Sequence, residues 1–157
     1  MAAEYEADTP TDDAVDVLAP MAMRLARGVC RLLADMGYAS LTEFPLGNGR
    51  RADVLGVDGS GKFLIVEIKT SLADFRADHK WPEYLDYCDR FYYVVPDDFP
   101  QEALPDEPGL IIADEWGGDV LRHGPDAVMN GSRRRAQMLR LARTATMRLG
   151  RVGDPEP

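Results

Sequence analysis

Residues 63–69, Phe-Leu-Ile-Val-Glu-Ile-Lys, read as one short β-strand, apolar on both faces until a Glu-x-Lys triplet closes it. A strand of that kind needs cover on both sides, which points to an α/β domain with helices over a sheet. Just upstream, Ala52 to Val57 is a second strand with Asp53 near its start, and the segment between them, Asp58 to Gly61, is a Gly-rich turn. The two strands form a hairpin. Side chains alternate along a strand, so Glu67 and Lys69 share one face while Val66 and Ile68 turn to the other and pack. The hairpin then brings Asp53 beside the triplet.

Two carboxylates held together in a half-buried place repel, and each pays several kcal/mol of desolvation. A divalent cation relieves both problems. Mg²⁺ (or Mn²⁺) takes oxygen ligands, needs only one or two carboxylates and keeps waters that a phosphate displaces. The expected metal ligands are therefore Asp53, Glu67 and the backbone carbonyl of Ile68. Lys69 has two jobs open to it: to orient or deprotonate an attacking water, and to neutralise charge on phosphorus. The plainer alternative is a structural Asp/Glu/Lys ion-pair cluster. Charged groups ending a strand that is apolar on both faces favour the catalytic reading, with Asp53, Glu67 and Lys69 as its residues.

Asp53, thirteen intervening residues and then Glu67-Ile68-Lys69 resembles the core of the PD-(D/E)XK nuclease superfamily, with Ala52-Asp53 standing where many members have Pro-Asp. The longer run from Glu67 through Trp81-Pro-Glu-Tyr to Phe91-Tyr-Tyr-Val-Val-Pro96 resembles the MmcB family of bacterial DNA repair proteins, and the likeness extends over about Leu18 to Ala113. The resemblance implies a restriction-endonuclease-like fold, a mixed β-sheet flanked by helices, with DNA as partner and a role in the damage response. Superfamily members often carry a further glutamate on the first helix. This helix has only Asp16 and Asp35 near its ends, so Glu43, on the strand before Asp53, is the nearest auxiliary acid.

At 157 residues and 45% hydrophobic, the chain is long enough to bury one core. The expected organisation is an acidic tail over residues 1–12, a single domain over 13–150 and a short tail over 151–157. No apolar stretch approaches the ~20 residues that cross a bilayer. Six acids, Glu4 to Asp16, precede the first arginine at Arg24, the reverse of a secretory signal, so a cytoplasmic protein is expected. Cys30 and Cys88 are too far apart for a Cys-x-x-Cys motif and read as packed thiols. No Gly-x-x-x-x-Gly-Lys phosphate loop, dinucleotide fingerprint or Ser-His-Asp pattern is present, which weighs against nucleotide hydrolysis and hydride transfer.

A net charge of −9 opposes indiscriminate DNA binding, but its distribution is uneven. Trp81 to Val120 holds eleven acids against one base, Arg90, whereas Gly131 to Arg151 holds seven arginines and no acid. On a helical wheel Met138, Ala142, Ala145 and Leu149 form one face, expected to pack, with Arg140 and Arg143 opposite and available to phosphates. Arg50, Arg51 and Lys80 complete the expected DNA contacts. The acidic segment is a candidate surface for other repair proteins. A homodimer is the expected assembly if both strands of a duplex are cut.

The remaining pattern gives a helix from Val15 to Met36, regular from Pro20 and ending at Gly37, and a strand over Ser40 to Pro45. A helical stretch from Ser71 to Cys88 is broken at Trp81-Pro82. Strands follow at 91–95, 109–113 and 120–123, and then the basic helix. The functional expectation is a metal-dependent DNA endonuclease or processing enzyme acting in repair. Its alternative is a non-catalytic DNA-binding or adaptor protein of the same fold.

Overall fold

The computed structural model describes residues 20–154. The expected tail over residues 1–12 lies outside them, as does the proposed start of the first helix at Val15. Helix α1 (Met21–Asp35) begins directly after Pro20 and stops where Gly37 takes a positive φ of 87°. Strands β1 (Tyr38–Pro45), β2 (Arg51–Asp58) and β3 (Phe63–Ile68) then run antiparallel in sequence order. The β2–β3 turn closes on Asp58, whose Oδ1 accepts from the N–H groups of Ser60 and Lys62, with Gly61 at φ 84°. The expected hairpin is present.

The stretch 71–88 breaks as its Trp-Pro step suggested. Helix α2 (Leu72–Ala77) is capped by Ser71, which accepts from Asp74 N–H, and a 3-10 segment covers Trp81–Tyr87. Strands β4 (Arg90–Val95) and β5 (Gly109–Ala113) join β3 in parallel, and β6 (Gly118–Arg122) closes the sheet antiparallel. The sheet is six-stranded and mixed, in the order β1-β2-β3-β4-β5-β6. It bears out the α/β expectation of a mixed sheet flanked by helices in a single domain.

Two clusters form the core, one on each face. Leu25, Val29 and Leu33 of α1 meet Val54, Leu64, Val66, Ile68, Tyr92 and Val94. The opposite face packs Phe44, Leu55, Phe63, Ile65, Phe91, Tyr93 and Val95 under Tyr84, Phe99 and Leu104. All six residues of β3 are buried, as its two-sided apolar pattern requires. Gly28 lets α1 lie against the β5–β6 turn, since a Cβ there would stand 1.8 Å from the Asp114 carbonyl oxygen.

The last helix, α3 (Gly131–Gly153), corrects the wheel. Its inward residues are Arg134, Gln137 and Leu141, with Arg148 about two turns further on, and not Met138, Ala142 and Leu149. Leu149 is 73% exposed. The wheel assumed that apolar residues decide which face packs; here polar side chains find backbone partners and turn the helix by about one position. Gln137 donates to the Tyr87 carbonyl, and Arg134 donates to Gly61 O and to Asp89. The helix also runs on to Gly153, into the stretch expected as a tail.

Asp89 is the hinge pin of this arrangement. Its carboxylate accepts from Phe63 N–H at 2.7 Å, from Met129 N–H at 3.3 Å and from both arms of the Arg134 guanidinium. Burial alone would raise the carboxyl's pKa, but the Arg134 hydrogen bond and then the two N–H groups outweigh it and hold the pKa below the usual range. A depressed folded value stabilises fully above the unfolded pKa and is lost as pH falls through the folded one. Asp89→Ala is expected to lower stability by about 3 kcal/mol in urea unfolding at neutral pH. The difference from wild type should shrink as the solution is made acidic.

Candidate functional site

At the ends of β2 and β3 the backbone ladder stops. The β2–β3 pairs run from Val57↔Phe63 to Val54↔Val66, and the next pair in that register would be Asp53 with Glu67. On the other side, Thr42↔Val54 and Phe44↔Ala52 flank an absent pair between Glu43 and Asp53. Three acids thus stand in a cross-strand row where ladder bonds lapse. Like charges directly opposite each other destabilise a sheet, so such a row needs a specific explanation.

Side chains replace part of the lost ladder. Asp53 Oδ2 accepts from Ile68 N–H at 2.8 Å, and Glu67 Oε1 accepts from Asp53 N–H at 3.3 Å. Glu67 and Lys69 are each only 5% exposed. They lie on the face away from Val66 and Ile68, as the alternation predicts. Burial, then the Asp53 charge, pushes the Glu67 carboxyl up to about 9. Burial also raises Asp53, against the Ile68 N–H bond, and the Glu43 charge raises it further. In the absence of a cation both shifts favour retention of a proton by the pair.

Lys69 is engaged as well. Its Nζ donates to Asp78 Oδ2 at 3.0 Å, while Asp78 Oδ1 accepts from Lys80 N–H at 2.9 Å. Burial would raise the Asp78 carboxyl, but the Lys69 hydrogen bond, the Lys80 N–H bond and the charges of both lysines together hold it below the usual range. These groups open into a cavity of about 830 Å³. One wall is α1, with Met23, Ala26, Arg27 and Cys30; the other carries Glu43, Arg51, Asp53, Glu67, Lys69, Asp74 and Asp78, with Tyr84 beside them.

The structure brings together Asp53, Glu67, Ile68 and Lys69, and sets Glu43 and Arg51 in the same cavity. Glu43 does not close a three-acid cage. Its carboxylate pairs with Arg51 Nε at 2.5 Å, and among the described residues no three acids, histidines or cysteines are grouped to hold an ion. Asp53 and Glu67, two neighbouring carboxylates whose pKa values are both raised by burial and then by the charge of an adjacent acid, have the oxygen-donor chemistry that one Mg²⁺ takes, with the Ile68 carbonyl alongside.

Other expected contacts lie elsewhere. Arg50 bonds Glu83 at 2.5 Å outside the cavity, Lys80 is exposed beyond Asp78, and Arg140 and Arg143 are on α3 away from the cavity wall. Asp78, the α1 wall and Arg148 were not legible as site features. Asp78 followed a capping segment with no spacing signal, and the wall depends on how α1 crosses the sheet. Among the aromatic residues, Trp81 packs against the core, Tyr84, Tyr92 and Tyr93 are buried, and Tyr84 also edges the cavity.

A mixed six-stranded α/β sheet with an Asp, a Glu-x-Lys and an open cavity at the strand ends defines the architectural class expected of a restriction-endonuclease-like domain. The family follows from sequence: a model described as DNA repair protein MmcB-like matches residues 9–156, and the chain belongs to that family. A solved structure of SPO1766, a protein of unknown function from Silicibacter pomeroyi, is similar, at 40% identity and a TM-score of 0.85 over 88% of this chain and 94% of that one. A repair endonuclease from Pyrococcus abyssi is 23% identical over 45% of this chain and 34% of that one, with a TM-score of 0.33, too low to bear on the site. No curated protein matches. No helix among the described residues is long and apolar enough to cross a membrane.

A raised folded pKa contributes stability that is complete below the unfolded value and is lost as pH rises through the folded value. In EDTA, the urea midpoint of the protein should therefore fall as pH climbs from 4.5 to about 9. Glu67→Gln, neutral throughout, should flatten that fall.

Proposed function

We propose that this protein is a Mg²⁺-dependent (or Mn²⁺-dependent) DNA endonuclease or DNA-processing enzyme of repair, hydrolysing phosphodiester bonds in the cavity between α1 and the ends of β2 and β3. The observation that carries the reading is the convergence of Asp53, Glu67 and Lys69, the last two buried, at the rim of an open cavity. Asp53, Glu67 and the Ile68 carbonyl would hold the ion, which when bound supplies positive charge against the phosphoryl oxygens. Its binding requires the pair to give up the proton that burial and crowding favour. Lys69, one side chain away, orients the attacking water or stabilises charge on phosphorus, and Asp78 keeps its ammonium at the site until substrate arrives. Arg51, on the cavity wall, meets a neighbouring phosphate. A cytoplasmic location is part of the same reading, and a homodimer would supply the two sites that cleavage of both strands of a duplex usually needs.

A second reading has its own support. The Lys69 ammonium is already held by Asp78, which suits a DNA-binding or adaptor protein that leaves chemistry to a partner, and the chain's net charge of −9 favours the adaptor role. Flapped, gapped, branched and abasic DNA, incubated with Mg²⁺ or Mn²⁺, separates the two. Cleavage by wild type that drops at least ~10²-fold in Glu67→Ala and Lys69→Ala establishes the enzyme. Binding that survives both substitutions, with no cut product from wild type, establishes the adaptor.

A further inference from the structure

We propose that Glu43, braced by Arg148 of α3, is the positioning residue for Arg51, and that these three make a phosphate seat at the mouth of the cavity. The inference rests on the reading of DNA as partner and adds residues that reading does not need.

Glu43 lies inside β1, yet its φ is +52°, the only non-Gly residue with positive φ among those described. A side chain is disfavoured there, and a strand interior gives no local reason for it. Such positions persist where surrounding structure holds them. Here the holder is visible. The guanidinium of Arg148 donates to the Thr42 carbonyl at 2.5 Å and to the Glu43 carbonyl at 2.7 Å, a two-armed clamp on the very residue whose pairing with β2 has lapsed. The clamp comes from a helix 105 residues away in sequence.

The turned backbone delivers the Glu43 carboxylate to Arg51, with Oε2 at 2.5 Å from Nε. An Arg held at Nε keeps both terminal amino groups for a second partner, and the planar fork matches phosphate oxygens. Arg51 is two-thirds exposed and Glu43, Thr42 and Arg51 all line the cavity. Of the three other cations that line the cavity, Arg24, Arg27 and Lys69, the first bonds Glu115 and the last Asp78 within the protein. Acids are plentiful around it, so an anion entering the cavity depends on a cation held in place at the entrance.

The sign of one substitution separates this from a surface ion pair. Removing an acid beside a polyanion site should tighten DNA binding if the acid is only a charge. Affinity for a short fluorescein-labelled oligonucleotide, measured by anisotropy in EDTA at several salt concentrations, reads the effect without cleavage. Arg51→Ala is expected to weaken binding about 10-fold and reduce the salt slope by about 1. Glu43→Gln is expected to weaken it also, about 3-fold to 10-fold, despite the lost negative charge, and to add nothing in an Arg51→Ala background. Arg148→Ala should match Glu43→Gln, with part of the loss recovered in Arg148→Lys. Tighter binding by Glu43→Gln, or full additivity with Arg51→Ala, overturns the proposal while leaving DNA binding intact. Wild type that fails to bind the oligonucleotide overturns the DNA reading and this inference together. If Arg148→Ala unfolds, the Glu43 and Arg51 cycle decides alone.

Discussion

A β-sheet tolerates a charged row across three adjacent strands only when something other than the ladder holds it. Here β1, β2 and β3 carry Glu43, Asp53 and Glu67 at one level of the sheet, and at that level backbone pairing lapses on both sides of Asp53. Each acid finds a different remedy. Glu43 turns its backbone and takes Arg51, Asp53 accepts the Ile68 N–H, and Glu67 accepts the Asp53 N–H. All three groups line the cavity, and the rest of the site is arranged around them.

The remaining scaffold holds these groups in place. Apolar packing of β3 on both faces holds Glu67 and Lys69 at a strand end that cannot rotate into water. Asp89 ties the start of the same strand to α3 through Arg134, and α3 in turn reaches the β1 edge through Arg148. Carboxylates thus stand at both ends of β3: Asp89 at its start, tied to Arg134, and Asp53 with Glu67 at its finish, bonded to backbone N–H groups. The contrast between an acid neutralised by a guanidinium and a pair crowded together without one is the feature on which the proposed site rests.

The exposed apolar residues of α3 follow from the same choice. Because Arg134, Gln137 and Arg148 face inward to bond backbone carbonyls, Leu139, Met147, Leu149 and Val152 are left in solvent. The hydrophobic gain forgone is modest for each residue, whereas an unpaired buried carbonyl is not, so polar satisfaction decides the helix's rotation.

Much of this chain could be read from its residues in order. The two-faced apolar run of β3, the alternation that sets Glu67 with Lys69, the Gly-rich turn after Asp58 and the break at Trp81-Pro82 are local consequences of strand period and turn chemistry, and they appear where expected. The acid pair with its lysine was legible for the same reason: a hairpin's register follows from its turn. What was not legible depends on segments meeting across the fold. The rotation of α3, the Lys69–Asp78 bond, the wall that α1 presents and the Arg148 clamp on Glu43 join residues between 9 and 106 positions apart, through packing that no periodicity encodes. Sequence alone determined the strands and which acids they carry, because side-chain alternation is a property of the backbone itself. Only the tertiary structure decided which cation each acid holds, because long side chains choose partners by distance in space.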